Sequence, residues 1–145
     1  MIRRVLRRIL GKRQSNATAP MTSGSTPPPA PEPELDMSNI ECGAQELFER
    51  LDAGEPVVIV DVREIHEIKA HGIIPSAKHI PLRELSTRWE ELKDANEIVC
   101  YCAAGGRSYN AAMLLRKEGL FNATSMEGGI AAWKAIGGKV DRIES

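Results

Sequence analysis

With 145 residues, 42% of them hydrophobic, and a formal net charge of −1, the chain has material for one globular core and no more. The small net charge hides two opposite regions: residues 1–31 carry six basic residues (Arg3, Arg4, Arg7, Arg8, Lys12, Arg13) and no acid, while the other 13 basic and 20 acidic residues leave the remainder at −7. An acidic globular part offers no footprint for nucleic acid, and three cysteines, odd in number and without metal-ligand pair spacing, point to a reducing compartment and thiol chemistry rather than a disulfide framework.

In chain order, Ile2, Val5, Leu6, Ile9 and Leu10 fall on one helical face with arginines opposite, which predicts a short basic amphipathic segment over residues 1–13. It is too short and too interrupted by arginine to span a bilayer or to serve as a secretory signal. A peripheral contact with an anionic membrane surface, a solvated tail and an organelle-targeting peptide all fit it. Residues 14–36 hold six of the nine prolines and no apolar periodicity, which predicts a disordered Pro-rich linker.

The domain is expected over 37–145. Gln45–Leu51 reads as a helix burying Leu47, Phe48 and Leu51 and stopping at Ala53-Gly54. Val57–Val62 is a continuous apolar run after Pro56, hence a strand covered on both faces. A helix follows from Glu64 to Ala70, a short strand from Ala77 to Ile80, and one or two helical pieces from Leu82 to Leu92. Glu97–Tyr101 is a strand, Ser108–Glu118 a helix, Ala123–Met126 a strand and Gly129–Ile136 a last helix. Strands alternating with helices through short loops predict an α/β fold with a parallel sheet and helices on both faces. Ligand sites of such sheets lie beyond the carboxyl ends of the strands, where Cys102 falls.

The segment Cys102-Ala-Ala-Gly-Gly-Arg-Ser108 joins the buried strand to the following helix. Ala103, Ala104, Gly105 and Gly106 let the backbone N–H groups turn inward, and the helix start near Ser108 presents its positive dipole end to the same point. A free thiol ionises at a pKa of about 8.5, and such surroundings together with Arg107 lower it, so Cys102 is expected to be a thiolate at neutral pH.

Around this loop, residues 38–140 resemble a single rhodanese domain. Val60-Asp-Val-Arg-Glu64, with Gly72-Ile-Ile-Pro-Ser-Ala77 and His79-Ile-Pro81, is similar to the family's first signature; the 102–108 loop is similar to its catalytic loop, and Glu127-Gly-Gly-Ile-Ala-Ala-Trp133 to its final helix signature. The resemblance implies the rhodanese-like three-layer fold and a sulfurtransferase. In that chemistry Cys102 takes sulfane sulfur from thiosulfate or a persulfide or polysulfide donor, holds it as a persulfide, and passes it to cyanide, a small thiol or a protein thiol. The amides of residues 103–107, Arg107 and Arg63 would bind substrate, Asp61 and Ser108 would support the loop, and neither a metal nor an organic cofactor is needed. Phosphatases of the related fold, and arsenate reductases, place one more residue between cysteine and arginine than the four found here, which favours a sulfur cradle over an oxyanion one. Efficient thiosulfate users carry a basic side chain just after the cysteine, where this chain has Ala103 and Ala104, so weak thiosulfate binding is expected. Ile73 and Ser76 stand where the family commonly has histidine and glycine, at positions that read as structural. A non-catalytic rhodanese-like interaction module is the alternative.

Several residues admit two readings. Asp61 either orients the loop by accepting backbone hydrogen bonds or forms a salt link with Arg63. Cys100, two residues before Cys102, reads as buried packing, with a resolving thiol as the alternative. Cys42 is expected at a helix start, as an incidental surface thiol. His66, His71 and His79 are too irregularly spaced for a metal site. Trp89 and Trp133 read as packing residues, and Tyr109 as lining the pocket mouth or half-exposed packing. The expected location is cytoplasmic, peripheral to the inner face of a membrane if residues 1–13 bind one, or an organelle if they are a targeting peptide.

Overall fold

The computed structural model describes residues 35–143; the basic segment 1–13, and all of the Pro-rich linker except its last two residues, lie outside them. The elements are β1 (Glu41–Cys42), α1 (Ala44–Asp52), β2 (Val58–Asp61), α2 (Ile65–His71), β3 (Lys78–His79), α3 (Leu82–Arg88) running into a 3₁₀ turn (Trp89–Leu92), β4 (Ile98–Tyr101), α4 (Gly106–Lys117), β5 (Ala123–Met126) and α5 (Gly129–Ala135). The strands form one parallel sheet in the order β1-β5-β4-β2-β3, with Val58–Asp61 opposite Ile98–Tyr101 and Ile98–Cys100 opposite Ala123–Ser125. This is the α/β, three-layer arrangement that the alternation of elements implied.

The two-residue period of β4 sorts its side chains between two cores. Ile98, Cys100 and Cys102 face α3 and α4, packing with Leu85, Ala111, Ala112 and Leu115, whereas Val99 and Tyr101 face α1 and α5, packing with Leu47, Ile130 and Trp133. All four residues of β4 are buried, which is why the sequence there is an uninterrupted apolar run. Burying a side chain of leucine or isoleucine size contributes about 1.5–3 kcal/mol, so this double-sided packing is the main anchor of the strand that delivers Cys102.

Two departures from expectation are informative. The edge strand β1 is absent from the sequence pattern because it is only two residues long. It places Cys42 opposite Met126, and Cys42 is buried rather than a surface thiol. Second, α4 begins at Gly106 instead of near Ser108, so the connection after β4 shrinks to Cys102–Gly105. Of the two positions expected to be structural, Ser76 holds a φ of +73°, a left-handed conformation that explains why glycine suits this turn, and Ile73 bridges Asp141 through a pair of backbone hydrogen bonds. Among the described residues no helix is long and apolar enough to cross a membrane.

Candidate active site

Cys102 leaves the carboxyl end of β4 and is 2% exposed, its sulfur turned into a cup made by the following turn. Gly105 N–H donates to Sγ at 3.0 Å, Ser108 N–H reaches it at 3.4 Å, and Ser108 Oγ lies 3.5 Å away. Burial by itself would push the thiol up. Hydrogen bonds from the Ser108 hydroxyl and from the N–H groups of Ser108, Gly105 and Ala104 outweigh it, and the net effect holds Cys102 below the ordinary thiol value. The first turn of the twelve-residue α4 adds its dipole at the same point.

The turn needs help to aim its amides inward, and α5 supplies it. Ile130 N–H donates to Cys102 O at 2.8 Å and Ala131 N–H to Ala103 O at 3.4 Å, so the carbonyls are held outward and the next amides face the sulfur. This contact brings Gly129 against the loop backbone. A Cβ at Gly129 would fall against Cys102 O and lie 2.6 Å from the carbonyl carbon of Ala103, and Gly129 also has a φ of +59°. Gly105 closes the turn with a φ of +115°. Gly129 is thus required by a close backbone approach between two segments some 25 residues apart, whereas Gly128, with a φ of +78°, is required by its own helix, where a Cβ would lie 2.7 Å from that of Ala132.

Each charged group expected at the site has a defined place. Arg107 donates Nη1 to Glu67 Oε2 at 2.7 Å and Nη2 to Glu67 Oε1 at 2.8 Å, a bidentate pair at the rim. Glu67 also accepts from Glu64 N–H at 3.0 Å, closing a capping box at the start of α2. The hydrogen bonds from Arg107 bring Glu67 down to about 2, far below the usual carboxylate range, against the opposing effect of burial. Arg63, expected among the substrate-binding groups, is fully buried: its Nε and Nη2 bind Asp61, Nη2 also donates to Gly72 O at 2.6 Å, and its guanidinium carbon stands 5.5 Å from the Tyr101 ring centre. Asp61 is equally buried, and its carboxylate accepts from the Arg63 side chain and from the Arg63 N–H at 2.9 Å. The pair fits the salt-link reading of Asp61, on the floor of the sheet end and without a direct bond to the Cys102 turn.

The remaining candidates separate cleanly. Cys100 is completely buried, and desolvation pushes its thiol up to about 12. Trp133 is buried, with its indole N–H donating to Lys139 O at 2.8 Å, and Trp89 and Tyr109 are half-buried against the core. His79 Nε2 lies 2.7 Å from Arg63 O. No group of histidines, cysteines and carboxylates among the described residues is placed to hold a metal ion. A cavity of about 480 Å³ lies elsewhere, lined by Phe48, Leu51, Ile59, Ile74 and Trp133 among others, and no residue of 102–108 contributes to it.

Two site residues escaped sequence reasoning. Glu67 left one local signal, the Glu64-x-x-Glu67 spacing of a capping box, but its reach across 40 positions to Arg107 is a property of the fold. Ser125, on β5, lies 2.7 Å from Ser108 Oγ beneath the sulfur and left none.

Residues 43–136, the span from the start of α1 to the end of α5, match the rhodanese-like domain family. The chain belongs to that family. A sulfurtransferase of Allochromatium vinosum is 36% identical over 97 residues, covering 67% of this chain and 90% of its own. The putative sulfurtransferase YtwF of Bacillus subtilis is 36% identical over 94 residues, covering 65% and 89%. The solved rhodanese-like domain of an Anabaena protein superposes with a TM-score of 0.66 at 34% identity, over 72% of this chain and 80% of that one. In this rhodanese-like domain the motif cysteine, the loop glycines and the Gly128-Gly129 clamp therefore sit within the matched span.

Proposed function

We propose that the domain is a sulfurtransferase that carries sulfane sulfur on Cys102. The observation that carries this reading is the sulfur's surroundings: an ionised-favouring cup of amide N–H donors and one hydroxyl, closed on the protein side and without a histidine or carboxylate within hydrogen-bonding distance. Such a cup stabilises an anion, whether thiolate or persulfide, and offers no general base, which a transfer between sulfur anions does not need.

In the first step the Cys102 thiolate attacks the outer sulfur of the donor, the new S–S bond forms as the donor's own bond to that sulfur breaks, and the donor's remainder leaves with the electron pair. In the second step an acceptor thiolate, or cyanide, attacks the terminal sulfur of the Cys102 persulfide and the Cys102 thiolate is restored. Both halves are displacements at sulfur, so no external oxidant or reductant enters.

The charge at the rim favours a persulfide or polysulfide donor over thiosulfate. Ala103 and Ala104 supply no cation, Arg63 is buried on Asp61, and Arg107 is already paired with Glu67, so a dianion would meet amides and a largely neutralised guanidinium. Three free cysteines among the described residues accord with a reducing, cytoplasmic setting in which low-molecular-weight persulfides serve as donors. The test is transfer to cyanide, read as thiocyanate, with thiosulfate and glutathione persulfide compared at matched concentrations. The account expects kcat/KM at least about tenfold higher for the persulfide, the equivalent of about 1.4 kcal/mol for one missing charge contact. Efficient turnover of thiosulfate at micromolar KM contradicts the donor assignment, and no transfer from either donor supports a binding module instead.

A further inference from the structure

Beside Cys102 two buried hydroxyls form a chain that begins at the sulfur. Ser125 is the third residue of β5 and Ser108 lies in the first turn of α4; both are fully buried, and their Oγ atoms are 2.7 Å apart. Ser108 Oγ is 3.5 Å from Cys102 Sγ and 3.2 Å from Gly105 O. Ser125 Oγ has one hydrogen-bond partner among the described residues, Ser108 Oγ.

Counting protons decides how this group can be arranged. Each hydroxyl carries one proton and two lone pairs. Ser108 therefore has a single proton for three acceptors: the sulfur, Gly105 O and Ser125 Oγ. The shortest of the three contacts is the one to Ser125, and if Ser108 spent its proton there the sulfur would lose its only hydroxyl donor. That outcome is avoided when Ser125 donates. Ser125 has nothing else to donate to, its donation polarises the Ser108 hydroxyl, and the Ser108 proton is left to the strongest acceptor nearby, which is an anionic sulfur.

We propose that Ser125 is a positioning residue for Cys102, donating to Ser108 Oγ and so directing the Ser108 proton onto the sulfur anion. In the neutral thiol Cys102 S–H donates to Ser108 Oγ, which still accepts from Ser125 with its second lone pair and turns its own proton to Gly105 O. The same two oxygens thus serve both protonation states without movement of a heavy atom. A packing role alone does not call for an oxygen here, because alanine fills nearly the same volume and a buried hydroxyl costs free energy unless it is bonded. The proposal rests on the reading of Cys102 as the sulfur-carrying thiolate.

The experiment is the pH profile of Cys102 alkylation by iodoacetamide, followed by peptide mass mapping so that Cys42 and Cys100 do not contribute. It is run on the wild type, Ser125→Ala, Ser108→Ala and the double variant, each checked for folding by thermal melting. Ser125→Ala is expected to raise the midpoint by about half a pH unit, a roughly threefold loss of thiolate below the midpoint, and Ser108→Ala by about one unit. In the Ser108→Ala background, Ser125→Ala is expected to shift nothing further. Ser125→Cys, which keeps the shape with a weaker donor, is expected to fall between wild type and Ser125→Ala, and it stands in if Ser125→Ala does not fold. An unchanged midpoint in Ser125→Ala, or a shift of equal size with and without the Ser108 hydroxyl, overturns the proposal. Because alkylation reads the thiol and not sulfur transfer, a domain that failed the transfer assay would still decide this question separately.

Discussion

Cys100 lies in β4 and Cys102 one position past its end, both turned to the same core and all but sealed from solvent, and their thiols are driven in opposite directions. Desolvation acts on both. Around Cys100 it is joined only by the repulsion of neighbouring thiols, and the thiol is pushed up to about 12. Around Cys102 it is overcome by the Ser108 hydroxyl and three backbone N–H groups, and the thiol is lowered. Burial is therefore no guide to reactivity in this domain. What separates a thiol held neutral from one whose anion is favoured is whether the chain turns immediately afterwards and points its amides back at the sulfur.

That contrast can be broken at the clamp. Gly129→Ala puts a methyl group against Cys102 O and Ala103 in a backbone conformation with positive φ, so the loop must rotate or α5 must withdraw. Strain and overpacking together are expected to cost about 2–4 kcal/mol, and in the protein that remains folded the Cys102 thiol is expected to move toward the behaviour of Cys100. Urea unfolding and the alkylation pH profile measure the two effects. A stable variant with an unshifted thiol would show that the loop aims its amides without α5.

A smaller effect sharpens the contrast by separating the rim from the cup. Glu67 is brought down to about 2 by Arg107, while an unfolded chain holds a glutamate near the usual value of about 4.3, so the folded state binds fewer protons between these limits. The pair's contribution is fully present above the unfolded value and is lost as pH falls toward the folded one. With Arg107 side-chain exposure at 39%, solvent screening leaves about 1 kcal/mol of it. Glu67→Gln should therefore be less stable than wild type at neutral pH by about this amount, and the gap should close between roughly pH 5 and 2 in acid-dependent melts. The same variant frees Arg107, and its KM for thiosulfate should fall while its KM for a persulfide stays put. A pH-independent stability difference would contradict the assignment of the shift to the Arg107 pair.

Much of this was legible in the sequence, for physical reasons that differ by element. The run Ile98-Val-Cys-Tyr101 reads as a buried strand because no polar residue interrupts it, and the limits expected for β5 match those observed because Asn122 and Glu127 bound a short run. Cys102, Gly105 and Ser108 were legible because a cysteine between a buried strand and a helix start is a local pattern. The start of α4 lies earlier than the pattern suggests because two glycines look like loop, yet Gly105 is its cap and Gly106 its first residue. Arg63 is expected from the sequence to bind substrate, but an arginine next to a strand end is equally suited to a buried carboxylate, and only the fold shows it closed over by Asp61 and Gly72. Glu67 and Ser125 act through contacts 40 and 17 positions away along the chain, where no local periodicity reaches.

The central claim, that one of two neighbouring buried thiols carries the transferred sulfur, is tested most directly by mass. The full-length protein is incubated with a persulfide donor, desalted, and its intact mass and peptides are read for wild type, Cys100→Ala and Cys102→Ser. The account predicts a gain of one sulfur atom, mapped to Cys102, in the wild type and in Cys100→Ala, and none in Cys102→Ser. Sulfur found on Cys100 or Cys42, or retained by Cys102→Ser, would contradict it.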